Sequence, residues 1–193
     1  MKEHKFPDNS FIGGWYIDPK ICDDLINFFN SKKEHHTLGL TEGAKKPDKK
    51  TKESIDFSIN PEYFVETFPS YWSEFKKCLN LYYKKYSFSN IAVTKFGLTE
   101  NVKIQYYKKN WGYKIWHMEK DGYSSTLNRH LVFMTYLNDV DDGGTEFFYQ
   151  KITSPAKKGL TLIWPTAWTH THRGQISKTK EKYILTSWLN FYE

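Results

Sequence analysis

Apolar positions along this chain change their spacing about halfway. Before residue 90 they recur at helical intervals. Ile21, Leu25, Phe28 and Phe29 fall on one helical face. Asp18 is placed to cap that helix and Pro19 fits its first turn. A second helix is predicted over residues 70–86, with Trp72, Phe75, Leu79 and Tyr82 or Tyr83 as its apolar stripe. Between the two, residues 34–53 are rich in Lys, Thr, Gly and Asp, which predicts a long mobile loop of the kind that serves as a lid. From Asn101 onward the spacing shortens. Strand-like runs occupy 103–108, 113–118, 130–138, 145–150, 160–164 and 183–191. Asp141-Asp142-Gly143-Gly144 and Lys157-Lys158-Gly159 read as turns between them. Helices first and short strands afterwards predict an α+β fold, in which the N-terminal helices brace one face of a β-sandwich or barrel. Neither a repeat nor a linker divides the sequence. One domain over 1–193 is expected, with 1–100 as helical support and mobile loop and 101–193 as the β core.

Composition adds little that is unusual, except that aromatic residues reach 18%. Rings must therefore supply much of the buried area. The net charge of +6 comes with a lysine cluster at Lys32, Lys33, Lys45, Lys46, Lys49, Lys50 and Lys52. This reads as a solvated loop, because no nucleic-acid-binding motif accompanies it. Cys22 and Cys78 lie on helix-like segments outside any C-x-x-C pair, which argues against a disulfide framework or a zinc knuckle. No apolar run approaches the ~20 residues that span a bilayer, and residues 1–9 are polar without a signal-like apolar region. A cytoplasmic protein without a membrane partner is expected.

The chemistry is concentrated among the seven histidines. His4, His35 and His36 lie in polar stretches; His117, His130, His170 and His172 do not. His117 stands two positions before Glu119, and on a strand that spacing turns both side chains to one side. A third ligand must come from elsewhere, and His170 and His172 follow a strand that ends at Trp164-Pro165. Two histidines and one carboxylate on one face of an octahedron leave positions open for an α-keto acid and dioxygen, as in non-haem Fe(II) oxygenases. Lys182, Ile184, Thr186 and Trp188 would alternate inward along the last strand. A buried ammonium at Lys182 needs an anion, and the distal carboxylate of 2-oxoglutarate is one. Two other readings use the same residues: a zinc hydrolase, and a metal-free β-sandwich binding module that has lost catalysis.

Residues 101–191 also resemble the double-stranded β-helix (jelly-roll, cupin-like) core of the 2-oxoglutarate/Fe(II) dioxygenases, most closely the prolyl 4-hydroxylase-like branch. The matching text is His117-Met118-Glu119, Arg129, Tyr136-Leu137-Asn138-Asp139-Val140 and Gly143-Gly144-Thr145-Glu146-Phe147. It continues with Lys158-Gly159, Trp164-Pro165, His172-Arg173-Gly174 and Lys182-Tyr183 with Thr186 and Trp188. The resemblance implies iron ligation by His117, Glu119 and His172. It implies that Lys182 pairs with the C5 carboxylate of 2-oxoglutarate and that the Tyr136 hydroxyl supports it, with Tyr107 and Thr186 lining that pocket. His172 is preferred over His170 for its ten-residue spacing to Lys182, and His170 would point the same way by alternation as a supporting group.

The family usually has aspartate where this chain has Glu119, so the backbone there must stand farther from the metal by about one C–C bond. A carboxylate at that position favours hydroxylation over halogenation. The resemblance implies a dioxygenase that uses Fe(II), 2-oxoglutarate and O2, with ascorbate as an auxiliary reductant, and releases succinate and CO2. The substrate implied is a C–H bond of a peptide or protein, with Trp111, Trp116, Trp168 and Arg173 as candidate substrate contacts; a small molecule is the alternative. Compact chains of this type are frequent in bacteriophage genomes, which would place the enzyme in a host cytoplasm.

Overall fold

The computed structural model describes residues 1–91 and 94–192. The helices are α1 (Pro19–Ser31), α2 (Pro61–Thr67) and α3 (Pro69–Lys85). The strands are β1 (Gly13–Tyr16), β2 (Thr37–Leu38), β3 (Ile55–Ile59), β4 (Phe96–Leu98), β5 (Val102–Tyr107), β6 (Arg129–Tyr136), β7 (Val140–Phe147), β8 (Ile152–Ala156), β9 (Leu160–Pro165), β10 (His172–Gly174) and β11 (Lys182–Phe191). The larger sheet runs β1-β9-β6-β11-β5-β3-β2, with β4 also paired to β11. The smaller runs β10-β7-β8, and every pairing in both sheets is antiparallel. The result is an α+β protein with a double-stranded β-helix core.

Alternation along the strands of the larger sheet separates two cores. Leu131 and Phe133 of β6, Ile104 of β5 and Leu185 of β11 pack towards Leu25, Phe29, Tyr71 and Phe75 of the helices. Val132, Met134 and Tyr136, with Ile184 and Trp188, face the other way and meet Val140 and Phe147 of the smaller sheet. The aromatic content is spent largely on the helical side, where Phe75 lies 4.2 Å from Phe133 between ring centres.

Helix α1 begins as its sequence dictates: the Asp18 carboxylate accepts from the Lys20 amide at 2.9 Å, and Pro19 occupies the first turn. On α3 the buried stripe is Tyr71, Phe75, Cys78 and Tyr82, while Trp72 and Leu79 are only half-buried. Phe75 and Tyr82 are buried as predicted, whereas Tyr71 and Cys78 take the places expected of Trp72 and Leu79; the Tyr71 hydroxyl lies 2.9 Å from Thr135 Oγ1 beneath the helix. Helix α2, β1, β2, β3, β4, β8 and β10 have no counterpart among the sequence expectations, and β2 lies within the stretch expected to be a loop. Pro155 lies within β8, which suits a strand at the sheet edge.

Two expectations are corrected. Residues 113–118 form no strand; Tyr113 and His117 make only isolated bridges, to Lys52 and His172. Asp141-Asp142-Gly143-Gly144 is not a turn but the middle of β7, where pairing to β8 shifts register between Val140 and Thr145. A Cβ on Gly144 would stand 1.9 Å from the Ser154 carbonyl oxygen, so the strands approach there only because the residue is glycine. Lys157-Lys158-Gly159 does turn, with the Leu160 amide donating to the Lys157 carbonyl and Gly159 at φ 82°. No helix among the described residues is long and apolar enough to cross a membrane.

Candidate metal and cosubstrate site

A cavity opens between the two sheets on the face turned away from the helices. His117, Glu119 and His172 line one part of it, and Lys182, Tyr136 and Tyr107 another. His172 enters from the start of β10. His117 is fixed against it by two backbone hydrogen bonds, His117 N–H to His172 O at 3.0 Å and His172 N–H to His117 O at 2.9 Å. The ligand atoms of His117, Glu119 and His172 all lie within 4.8 Å of one another. Glu119 Oε1 is 3.2 Å from His172 Nε2 and 3.7 Å from His117 Nε2. Neighbouring ligands of an octahedral ion with ~2.1 Å bonds stand about 3 Å apart, so these donors need little adjustment to close on one.

The surroundings orient each donor. His117 Nδ1 faces the Ile115 carbonyl at 3.1 Å and His172 Nδ1 the His170 carbonyl at 2.8 Å. With those nitrogens as N–H donors, both Nε2 lone pairs face Glu119. Glu119 Oε2 accepts from Trp188 Nε1 at 3.0 Å, which leaves Oε1 towards the imidazoles. Arg129 donates to the Glu119 carbonyl at 2.9 Å and is itself held by Glu100 at 2.6 and 2.8 Å. Burial pushes the His117 pKa down, and the charge of His172 adds to this, which favours the neutral ligand form. Burial alone would raise the Glu119 carboxyl, but the facing His117 and His172 outweigh it and hold it well below the usual carboxylate range.

His170 takes no part in this triad. Its Nε2 is 3.0 Å from the Ser10 carbonyl and its Nδ1 3.0 Å from Thr169 Oγ1, so both ring nitrogens are engaged elsewhere. It sits on a 3-10 turn (Trp168–His170), where strand alternation does not hold. Only its backbone carbonyl supports the site. His130 is also remote from it, bonded to the Ser89 carbonyl at 2.7 Å.

At the other end of the cavity the Lys182 ammonium donates to the carbonyls of Gly143 and Gln175, both at 2.9 Å. Among the described residues no carboxylate lies within 4 Å of it. Burial pushes its pKa down to about 8, with the charge of Asp142 opposing. An ammonium with one donor unspent and no counter-ion is a built site for an anion. Tyr136 stands nearby with its hydroxyl 2.7 Å from Thr145 Oγ1 and 2.8 Å from Ser154 Oγ. Lys182 lies 5.3 Å from the centre of the Tyr107 ring, whose hydroxyl donates to Gln105 Oε1 at 2.8 Å. Thr186 also lines the cavity and donates to the Phe133 carbonyl at 3.2 Å.

The inward alternation of Lys182, Ile184, Thr186 and Trp188 is present as expected. Trp116, Trp168 and Arg173 lie outside the cavity lining. Arg173 stacks on Trp116 at 4.4 Å, Trp116 meets Phe148 edge-on, and Trp168, 60% exposed, meets Tyr149. Trp111 packs against the inter-sheet core instead of joining them. Sequence reasoning missed Lys52, Lys103 and Gln105 as cavity groups, and Asp56 as the carboxylate that holds Lys52 and Gln105. Period-two spacing with Tyr107 marks Lys103 and Gln105, but nothing local marks Lys52 or Asp56. Leu40, Thr41 and Glu42, from the Lys-rich loop, line the cavity as well.

Residues 102–190 match the 2OG-Fe(II) oxygenase superfamily. Among solved structures, a viral collagen prolyl hydroxylase from Paramecium Bursaria Chlorella virus-1, as its 2OG complex, aligns at 20% identity and TM-score 0.67 over 93% of this chain and 95% of its own. A Pseudomonas putida prolyl-4-hydroxylase aligns at 13% identity and TM-score 0.68, over 94% and 93% of the two chains. A Trichoplax adhaerens prolyl hydroxylase, solved with a hypoxia inducible factor oxygen degradation domain peptide fragment, aligns at 11% identity and TM-score 0.71, over 95% and 84%. No curated protein matches the chain in sequence. The family match spans residues 102–190, β5 to β11, the part of the chain that carries the triad and Lys182, and together with a fold shared with prolyl hydroxylases it supports a 2-oxoglutarate-dependent dioxygenase.

Proposed function

We propose that the enzyme hydroxylates a C–H bond of a peptide or protein, in the manner of a prolyl hydroxylase, with release of succinate and CO2. His117, Glu119 and His172 would hold Fe(II). Lys182, supported by Tyr136 and Thr145, would hold the C5 carboxylate of 2-oxoglutarate, with Tyr107 and Thr186 as walls. One observation carries the reading: a two-histidine, one-carboxylate donor set and an uncompensated ammonium line the same cavity. A zinc hydrolase would have no use for that ammonium.

Bound Fe(II) supplies the oxidising chemistry, with 2-oxoglutarate and O2 consumed. The protein's own contribution is positional. Backbone carbonyls of Ile115 and His170 fix the tautomers of the two imidazoles. Trp188 and Arg129 fix the glutamate. The apolar walls Met134, Trp164 and Ile184 limit water around the reacting groups. A peptide substrate is supported by the Trichoplax neighbour's bound fragment and by the exposed Trp116–Arg173 stack beside the ligand pair. A small-molecule substrate is favoured instead by Leu40, Thr41 and Glu42, which narrow the cavity.

The deciding experiment incubates the Fe(II)-loaded protein with 2-oxoglutarate, O2 and a set of proline-containing peptides. Succinate and a product 16 mass units heavier than its peptide are measured. Peptide-dependent succinate with matching hydroxylation supports the proposal. Succinate formation that no peptide stimulates, but a small molecule does, moves the assignment to the second reading.

A further inference from the structure

Strand β5 turns Lys103, Gln105 and Tyr107 into the cavity, and β11 faces them in register with Thr186, Ile184 and Lys182. Tyr107 and Gln105 are occupied, the first donating to the second and the second to Asp56 Oδ2 at 3.2 Å. Lys103 is different. Its side chain is half-buried, and its ammonium lies 5.4 Å from the centre of the Trp188 ring. Among the described residues it has neither a hydrogen-bond acceptor nor a carboxylate within 4 Å. Burial holds its pKa below the ordinary lysine range; the charges of Lys52 and Arg129 add to this, and those of Asp56 and Glu42 oppose it from beyond contact distance.

The other charges around the cavity are satisfied. Lys52 pairs with Asp56 at 2.7 Å and Arg129 with Glu100 at 2.6 Å. Asp121 accepts from Thr126 at 2.9 Å and Glu42 from Ser125 at 2.6 Å. Glu119 belongs to the metal triad. Two ammoniums remain, Lys182 and Lys103. Register places Lys103 opposite Thr186, four residues along β11 from Lys182, or about 13 Å between backbone positions. The carbon chain of 2-oxoglutarate reaches only about 5 Å end to end. One molecule committed to the metal and to Lys182 therefore leaves Lys103 without an anion. Lys103 lies instead beside Trp188, the residue that holds Glu119, on the metal side of the cavity.

We infer that Lys103 is a specificity-determining residue: its ammonium receives a carboxylate of the primary substrate, so that the enzyme selects acidic substrates. This deepens the oxygenase reading above and rests on it. The carboxylate has two sources, an acidic side chain next to the reacting residue or the α-carboxylate of a free amino acid. In both cases it takes the place of the missing counter-ion and offsets the cost of the half-buried charge.

The test uses full-length protein loaded with Mn(II) in place of Fe(II), so that nothing turns over, in the wild type, Lys103→Met, Lys103→Glu and Lys182→Met. Calorimetry first measures 2-oxoglutarate binding. With 2-oxoglutarate bound, it then measures binding of N-acetylated, C-amidated pentapeptides whose central proline is flanked by Glu, Gln or Lys, and of free L-proline against L-prolinamide. The wild type is expected to prefer the carboxylate-bearing probe by about tenfold, or about 1.4 kcal/mol, in at least one arm. The peptide arm identifies an acidic side chain and the proline arm an α-carboxylate. The preference disappears in Lys103→Met and turns towards Lys-flanked probes in Lys103→Glu, while 2-oxoglutarate affinity in Lys103→Met stays within about twofold. Three results overturn the inference: no carboxylate preference in either arm, including no probe binding at all; a preference that survives Lys103→Met; or a loss of 2-oxoglutarate affinity in Lys103→Met as large as in Lys182→Met. If the wild type fails to bind 2-oxoglutarate, the oxygenase reading falls first and the inference with it. Intact 2-oxoglutarate binding without carboxylate selection removes the inference alone.

Discussion

The pH dependence of 2-oxoglutarate binding follows from the burial of Lys182. In the free protein its pKa is pushed down to about 8 by loss of hydration. Only the ammonium attracts a carboxylate, and a bound carboxylate raises the pKa again by opposite charge. If Lys182 holds the cosubstrate, affinity is full only well below pH 8, falls as pH rises through 8, and levels off above the raised pKa of the complex. The charged fraction of free Lys182 is roughly three-quarters at pH 7.5 and roughly one-thirtieth at pH 9.5, so the dissociation constant should rise about 25-fold over that range. At pH 8.5, binding should take up about 0.8 proton, visible by calorimetry in buffers of different ionisation enthalpy. In Lys182→Met both the slope and the proton uptake vanish, and loss of a buried charge pair weakens binding by about 2–4 kcal/mol. An affinity that is flat between pH 7.5 and 9.5 in the wild type, or a proton released on binding, would refute the placement of the cosubstrate against Lys182.

Trp188→Phe removes the donor to Glu119 Oε2 and keeps most of the ring, so Mn(II) affinity should fall about 10- to 100-fold with little loss of fold, by calorimetry and circular dichroism. His172→Ala should abolish metal binding. His170→Ala keeps the backbone carbonyl that orients His172, so it should bind metal nearly normally while losing about 1–3 kcal/mol of stability in urea. Gly144→Ala forces β7 away from Ser154, and a loss of more than about 2 kcal/mol is expected from the same denaturation assay, whereas Gly122→Ala meets no neighbour and should cost only the backbone strain of a residue at φ 96°, about 1–2 kcal/mol.

The parts of the molecule written in short-range chemistry were legible. The Asp18-Pro19 cap and the inward alternation of β11 depend on residues within a few positions of one another; His117 and Glu119 do share the cavity, but not through the strand alternation expected of them. Spacing alone prefers His172 to His170; in the structure a 3-10 turn directs the two rings apart, His170 to Ser10 and His172 to Glu119. Failures came where distant segments decide. Asp-Asp-Gly-Gly has turn composition, yet pairing with β8 keeps it extended. Residues 113–118 have strand composition, yet find only single bridges. Lys52 reads as part of the lysine-rich loop, and Asp56 falls in no predicted element. Their burial, at 4% and 5% exposure, arises only because β3 docks beside β5 and brings Gln105 to meet them.

The bridge between residues 117 and 172 carries a structural consequence. It is a lone rung with no ladder on either side, closing a long stretch of chain by two hydrogen bonds. Such a closure is entropically expensive and weakly held. An ion gripping both imidazoles would act there as a cross-link, comparable to a disulfide over the same loop, whose effect on the unfolded chain is about 4 kcal/mol. The apoprotein should then fray first between β5 and β6, and metal loading should slow amide exchange across that whole segment.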